Sequence, residues 1–594
     1  MKCALSRKIT ICFLLILCLQ NTNQLNFDIF QSLSLISKIL NPQGLIFQLV
    51  KLKLSDREED FSCSLCKRIV TAIRTTVEEK YTPTQILDLL SILCSVVKNY
   101  DFCFSFITNY GTPLLKNTFI RLTNSDNFCH TLGFCAEGQL CEDTYDYAVR
   151  LLKDKPDKQK EPIDPSSDTI KMLQMTDIHF DQRYIENATV YCDTPLCCHE
   201  PASNYSRIKS GKFGSLMKCD TSNNTLKSFV QTAYDLQPDF IIWTGDNTEH
   251  DNWNSTQEEV YESTATIKEA LYEVFGDSIP VYPVIGNHEN YPDDLWEPGN
   301  EYIFENLANI YKDYFFESQA YESFSRYGYY TELHPRSNLR IVALNCLYCD
   351  TMNFNLLSSN HTEAKKEFIW LENVLREAEA NGEYVFILDH FPINSDFMLY
   401  ECSRRLHALL DRFDYIIRGY FSGHNHIDDI APVRRYFEPR PIININFISP
   451  SLTTSTKNNP DGVNPSFRLY YIDRDTKQVK DYEQYRLNLT DSNINREANW
   501  YLSYTATELY NVTDLTEREK MCSINVEGEY IKKRYSDNAD EKKIHNKKEI
   551  RKAHCYITND NYYEYFECTE QSMFTTAYIY KLLNDISGEW PLEE

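Results

Sequence analysis

Five short segments of this chain carry side chains able to bind and use metal ions: Asp177-Ile178-His179, Gly245-Asp246, Gly286-Asn287-His288-Glu289, His390 and Gly423-His424-Asn425-His426. Between them they offer the carboxylates of Asp177 and Asp246, the carboxamide oxygen of Asn287, and the imidazoles of His179, His390, His424 and His426. That donor set suits two divalent cations sharing one bridging ligand. Singly, the segments say little. Asp-x-His pairs are mostly surface loops, Gly-Asp after a strand is mostly a turn, and a lone histidine such as His390 is more often a hydrogen-bonded core residue. Gly-His-Asn-His is more telling, because imidazoles two residues apart project the same way from an extended backbone. All five in order point to a hydrolytic metal site.

The elements that would hold these residues are legible just before them. Ile170–Met175, Phe240–Trp243, Val281–Ile285, Tyr384–Leu388 and Ile416–Phe421 are short apolar runs that read as buried strands. Each chemistry-bearing segment follows one of them, so the ligands are expected on loops just past strand ends, carried by a rigid sheet.

This ordered set resembles the calcineurin-like metallophosphoesterase superfamily, and the surrounding blocks are similar to the acid sphingomyelinase family. Those blocks are Thr176–Asp181, Trp243–Asp246, His250-Asp251, Tyr282–Glu289, Asn464-Pro465 and the cysteines Cys192, Cys197, Cys198 and Cys219. The resemblance covers roughly residues 61 to 500 and implies a two-sheet α/β sandwich. It implies one metal held by Asp177, His179, Asp246 and His426, and a second held by Asp246, Asn287, His390 and His424. Asp246 would bridge, one carboxylate oxygen to each cation. A water between two such cations loses its proton near neutral pH and attacks phosphorus. Zinc fits the imidazole-rich set, whereas the iron-using purple acid phosphatases place a tyrosine where this chain has Glu249. His288 is the leading general acid for the departing alkoxide, His250 the second, and Glu289 an orienting residue. His199, His334, His361 and His407 are given no role. Ser455 follows Thr453-Thr454 where the family often has tyrosine.

Composition narrows the setting. The 594 residues carry a net charge of −26, and no basic stripe replaces nucleic-acid counterions, so nucleic acid is not the expected partner. Lys2, Arg7 and Lys8 precede a short apolar run, Ile9–Leu19, which reads as a secretory signal over residues 1–22. Twenty cysteines and seven sequons, at Asn187, Asn204, Asn223, Asn254, Asn360, Asn488 and Asn511, agree with export and glycosylation. No later segment is apolar and long enough to span a membrane. A secreted or lysosomal monomer is expected.

Residues 23–60 form an N-terminal extension without a clear element. Residues 61–141 differ in kind from the rest: seven basic against six acidic residues, and half-cystines at Cys63, Cys66, Cys94, Cys103, Cys129 and Cys135. Apolar positions at helical spacing (Ile69, Val70, Ile73, Val77; Ile86, Leu89, Leu90, Leu93) lie between them. This segment resembles a saposin domain, a small all-α module that contacts lipid, which implies bridges Cys63–Cys135, Cys66–Cys129 and Cys94–Cys103; Cys141 is an alternative to Cys135. The competing reading is a stapled helical bundle that only packs on its neighbour.

A linker over 142–168 leads to a catalytic domain over 169–480 and a helical, polar C-terminal region over 481–594, in which Lys532–Lys552 reads as a solvated charge run. Bridges Cys192–Cys197, Cys198–Cys219, Cys349–Cys402 and Cys555–Cys568 are expected, with Cys346 and Cys522 left as a further bridge or free thiols.

The function expected from all this is hydrolysis of sphingomyelin to ceramide and phosphocholine. The helical module would present lipid from a sphingomyelin-containing membrane to which the protein binds peripherally. A phosphodiesterase of nucleotides or other soluble esters is the enzymatic alternative, and an inactive lipid-binding protein the non-enzymatic one.

Overall fold

The computed structural model describes residues 144–569 except 204–205, 252–253, 359–361 and 457–461, together with 91, 104–105, 107–111 and 113 of the preceding part. The signal, the extension, the three bridges of the saposin-like segment with Cys141, and the sequons at Asn204 and Asn360 lie outside the described residues.

Among the described residues, twelve strands make two six-stranded sheets. The first has the order β12-β11-β10-β1-β2-β3, with β1 Thr169–Met175, β2 Phe240–Trp243, β3 Val281–Pro283, β10 Ser466–Asp473, β11 Val479–Leu487 and β12 Trp500–Thr505. The second has the order β4-β5-β6-β7-β9-β8, with β4 Tyr330–Leu333, β5 Leu339–Ala343, β6 Tyr384–Leu388, β7 Ile417–Ser422, β8 Asp429–Arg434 and β9 Ile442–Ile448. Both sheets are mixed. β1, β2 and β3 run parallel, as do β5, β6, β7 and β9, while β10–β12, β4 and β8 pair antiparallel. Strands β2 and β6 read as unbroken apolar runs because their faces are covered, and β7 is buried throughout although it carries Arg418.

The sheets meet through aromatic rings. Phe421 of β7 lies edge-on to Tyr470 of β10 at 5.1 Å, and Phe447 of β9 to Tyr470 at 5.7 Å. Edge-to-face pairs add ~1 kcal/mol each beyond the area they bury. One polar link crosses the same seam. Gln174 of β1 donates to the Ser422 carbonyl of β7 at 3.0 Å and accepts from the Tyr470 hydroxyl at 2.8 Å. Helices Gln257–Phe275 and Thr362–Asn381 are covering elements. The first is capped by Thr256, whose side chain accepts the Glu259 amide, with Glu258 and Glu259 in the positive first turn.

Three expectations need correcting. The region from residue 481 does not start helical: β11 and β12 extend the first sheet with the seven-residue helix Leu489–Asn495 between them, and the remaining helices follow from Ala506. The linker begins with helix Thr144–Leu152, whose Tyr147, Ala148 and Leu151 are buried. Its remainder is tied down: Lys155 reaches Asp411 at 2.6 Å and Asp414 at 2.9 Å, and Lys160 donates to the Ile443 carbonyl at 3.0 Å. Nor is the charge run wholly solvated, since Arg534 is buried and bonded to Asp429 at 2.6 Å.

Among the described residues, Cys192–Cys197, Cys198–Cys219, Cys349–Cys402 and Cys555–Cys568 are disulfides, and Cys346 and Cys522 are buried free thiols. The sequon asparagines Asn187, Asn223, Asn254, Asn488 and Asn511 are exposed. None of the described helices is long and apolar enough to cross a membrane.

Candidate metal centre

Because β1, β2, β3, β6 and β7 share a direction within each sheet, their C-terminal ends open on one side and their loops converge. Five of the residues there hold backbones that side chains other than glycine rarely adopt: φ is +48° at Asp177, +43° at His179, +60° at Asp246, +67° at His424 and +57° at His426. Such conformations cost on the order of 1 kcal/mol or more each and cluster where function over-determines them. Gly245 and Gly286 make the convergence possible. Gly245 has φ of +88°, and a Cβ on it would lie 2.6 Å from the Gly286 amide nitrogen. The loop after β2 is anchored from below, where Trp243 Nε1 donates to Asn247 Oδ1 at 2.8 Å and Asn247 Nδ2 to the Tyr311 hydroxyl at 2.9 Å.

Two clusters of ligand atoms that include a carboxylate result, and His250 comes as close to His179 and His426. Asp177, His179, Asp246 and His426 present one atom each within 4.8 Å of one another, as do Asp246, His390 and His424. Asn287 joins the second group, its Oδ1 lying 3.1 Å from His424 Nδ1. The rings are pinned from behind. His179 Nδ1 is 2.7 Å from the Thr248 carbonyl, His426 Nδ1 2.6 Å from Ser455 O, and His390 Nδ1 2.7 Å from Thr244 O. A carbonyl only accepts, so each Nδ1 carries the proton and each Nε2 turns a lone pair inward. Yet His179 Nε2 and His426 Nε2 stand 3.2 Å apart. With both rings neutral, two lone pairs face each other there, an arrangement a cation relieves. The donor set therefore fits divalent metals, and the site implies them.

Asp246 departs from the expected division of its two oxygens. Oδ2 alone faces both clusters, 3.4 Å from His179 Nε2 and 3.1 Å from His390 Nε2. Oδ1 instead accepts the His288 amide at 2.9 Å. Asp177 accepts the His424 amide at 2.9 Å, joining the loops after β1 and β7. Burial alone would push both carboxyls up, but without cations the neighbouring imidazoles in their protonated form, His426 beside Asp177 and His390 beside Asp246, would hold them below the usual carboxylate range. Glu289 accepts the amides of Asp246 at 3.0 Å and Asn247 at 2.8 Å as well as that of Gly286, so it braces backbone and touches no ligand ring.

His250 and His288 flank the first cluster. His250 stacks on His179 with centroids 3.8 Å apart, and His288 stands edge-on to His179 at 4.7 Å and to His250 at 5.0 Å. His250 Nδ1 is held 2.9 Å from Asp220 Oδ2. Burial depresses its pKa to about 4, against the pull of Asp220. His288 Nε2 lies 3.7 Å from Asp293 Oδ2.

Several bracing groups carry no sequence signature. The carbonyls of Thr244, Thr248 and Ser455 are backbone. Asp220 had one usable signal, its place beside Cys219 in the disulfide-closed loop. Asp294, which accepts Asn287 Nδ2 at 2.8 Å, follows the Gly-Asn-His-Glu block by only a few residues. Of the histidines given no role, His199 bonds Asp181 at 2.9 Å, His334 sits 2.8 Å from the Tyr282 hydroxyl and His407 2.7 Å from Ser403 O. None of these three points into the clusters; His361 is outside the described residues.

A two-sheet sandwich with paired ligand clusters at its strand ends defines a metallophosphoesterase, and residues 170–428 match the calcineurin-like phosphoesterase family model. Residues 441–575 match the model of the acid sphingomyelin phosphodiesterase C-terminal region, and the chain belongs to the acid sphingomyelinase family. Among its relatives, sphingomyelin phosphodiesterase A of Dictyostelium discoideum is 28% identical over 77% of this chain and 81% of its own length. Sphingomyelinase phosphodiesterase C of the same organism is 31% identical over 58% of this chain and 79% of its own. A cyclic GMP-AMP phosphodiesterase of Bos taurus is 30% identical over 57% of this chain and 76% of its own.

Proposed function

We propose that this protein is a metal-dependent phosphodiesterase that hydrolyses sphingomyelin to ceramide and phosphocholine. The observation that carries the reading is the pair of ligand clusters sharing Asp246 Oδ2, in a chain of this family. Asp177, His179, Asp246 and His426 would hold one cation, and Asp246, Asn287, His390 and His424 the other. Zinc suits four imidazoles and few carboxylates. When bound, the two cations supply a nucleophile from water at neutral pH and offset the charge of the phosphoryl oxygens.

The chain's own residues do the rest. The carbonyls of Thr248, Thr244 and Ser455 keep three rings in one tautomer, so their lone pairs need no rearrangement on loading. Ceramide leaves as an alkoxide and needs a proton as the P–O bond breaks. His288, beside the first cluster and bonded through its amide to Asp246, is the donor. His250, with Nδ1 committed to Asp220, keeps Nε2 for an oxygen of the substrate.

The lipid substrate is favoured over a soluble one by the extent of similarity. The match to sphingomyelin phosphodiesterase A takes in 77% of this chain, more than all residues from 170 to 594 can supply, so it runs into the segment before residue 170. The match to the cyclic dinucleotide phosphodiesterase needs no such extension, nor does that to sphingomyelinase phosphodiesterase C, so the longer sphingomyelin relatives carry the preference. Residues 61–141 would present the lipid at a membrane surface, the protein acting as a peripheral monomer. Four disulfides and five exposed sequon asparagines support an exported, oxidising location, secreted or lysosomal. The test is hydrolysis by the full chain of sphingomyelin vesicles and of a cyclic dinucleotide, side by side. Turnover of the vesicles at least tenfold above the dinucleotide is expected; the reverse order would make it a soluble-ester phosphodiesterase.

A further inference from the structure

We propose that Tyr110 and Asp293 form a positioning pair through which the segment before the linker holds the catalytic loop in register. Tyr110 lies in Ile107–Gly111, far in sequence from the sandwich, yet it is only 5% exposed and belongs to the same continuous core. Its hydroxyl donates to Asp293 Oδ1, while Asp293 Oδ2 faces His288 Nε2 at 3.7 Å. The residue before it repeats the contact, Asn109 Nδ2 donating to the Tyr291 hydroxyl at 3.2 Å. Two successive residues of one segment thus grip two alternate residues of another, more than 180 positions away.

The gripped loop is the one that carries Asn287 and His288. The sandwich holds it from the other side. Gln257 donates to the Glu289 carbonyl at 3.1 Å and accepts the Tyr291 amide at 2.8 Å, and Asp294 bonds both the side chain and the carbonyl of Asn287. A carboxylate rotates about its last side-chain bond unless a donor fixes its plane. With the Tyr110 hydroxyl on Oδ1, the plane of Asp293 is set and Oδ2 is turned to His288. Seating of the N-terminal segment and orientation of the imidazole are then one event. The consequence is unlike that of lipid presentation: the segment contributes to the chemical step itself, on soluble substrates as well as lipids.

This rests on His288 acting as the acid, so the experiment carries a His288→Ala arm. The full-length protein and the variants Tyr110→Phe, Asp293→Asn and His288→Ala are assayed on two soluble phosphodiesters, one with an alkyl and one with a nitrophenyl leaving group. Metal content and thermal midpoint are measured alongside. Loss of one buried hydrogen bond predicts about a tenfold fall in kcat for Tyr110→Phe and Asp293→Asn on the alkyl ester. KM should be unchanged, and the fall on the nitrophenyl ester, whose leaving group needs no proton, should be less than about threefold. Equal losses on both esters, or a change confined to KM, overturn the inference while a leaving-group-dependent loss in His288→Ala keeps the acid role. No leaving-group dependence in His288→Ala overturns both. If Tyr110→Phe loses metal or stability, Asp293→Asn, which leaves the ring packing untouched, decides alone.

Discussion

The backbone amide of His288 donates to Oδ1 of Asp246 at 2.9 Å, so the proposed acid hangs from the carboxylate whose other oxygen faces both ligand clusters. Occupancy of the site and the position of the acid are coupled through one side chain. That coupling ranks the ligand substitutions, because Asp246 Oδ2 stands within 3.4 Å of a ring in each cluster, whereas Asp177 Oδ1 lies 3.3 Å from His426 but 3.9 Å from His390.

Asp246→Asn should therefore be the most damaging ligand change, lowering kcat/KM by roughly a thousandfold or more and depleting both ions. Asp177→Asn should deplete mainly one. Elemental analysis of purified protein beside the activity assay checks this. Full occupancy of one ion per chain in Asp246→Asn would separate the clusters and discard the shared-oxygen reading.

Asp220 is fully buried and holds His250 by two contacts, Nδ1 at 2.9 Å and the amide at 2.8 Å, with Thr453 supporting it at 2.7 Å. Asp220→Asn should retain both metals and lower turnover ten- to about a hundredfold, the usual cost of losing an orienting partner. Unchanged kcat would reduce His250 to packing against His179.

The disulfides differ in what they hold. Cys198–Cys219 closes 21 residues and Cys192–Cys197 closes 5. Loop-closure entropy makes the first worth ~3 kcal/mol and the second ~2 kcal/mol. Cys219 also adjoins Asp220, so replacing Cys198 and Cys219 by Ala should cost activity as well as stability, whereas the Cys192/Cys197 pair should cost stability alone. Denaturant midpoints and turnover of the two double variants test the difference. Equal activity losses would count against Asp220 as the link.

Asp428 is the hub of a buried charge network. It bonds Arg468 at 2.6 Å and Arg486 at 2.7 Å, accepts the Tyr504 hydroxyl at 2.6 Å, and lies two residues past His426. Asp428→Ala leaves the buried guanidinium of Arg468 short of its anion, Arg486 keeping Asp537 at 3.3 Å, and should destabilise by ~3–5 kcal/mol. A shift in the urea midpoint amounting to less than ~1 kcal/mol would mean that the arginines find other partners.

Stability should also respond to Glu332. Burial raises its carboxyl to about 7, against the amides of Glu317 and Phe316 that it accepts. A carboxyl raised above its unfolded value stabilises fully below that value, near 4.5, and loses the contribution as pH rises through about 7. The wild type should gain on the order of 3 kcal/mol over Glu332→Gln between pH 7 and pH 4.5. Parallel stability profiles for the two proteins would show that Glu332 is not shifted.

The five ligand-bearing loops were legible because each follows a largely buried and mainly apolar strand, even though β1 carries Lys171 and Gln174 and β7 carries Arg418. Strand β11 was not. Its inward positions include Gln484 and Arg486, which bond Arg468 and Asp428 across the sheet and so break the apolar alternation. Arg534 was read as solvated for the same reason, since its partner Asp429 is more than a hundred residues away. The helical start of the linker was missed because its buried Tyr147 and Leu151 are too few to show a period.

The sequence by itself determined which residue types are available for metal chemistry, in what order, and that each follows a strand. Those facts are local: an apolar run, a glycine turn, a donor side chain. Only the tertiary structure decided which nitrogen of each histidine turns inward and that a single oxygen of Asp246 faces both clusters. It alone brought Asp220 under His250 and Tyr110 against Asp293. These are choices between atoms of one side chain, made by backbone carbonyls, amides and distant partners, and no residue letter encodes where a carbonyl or a distant partner will point.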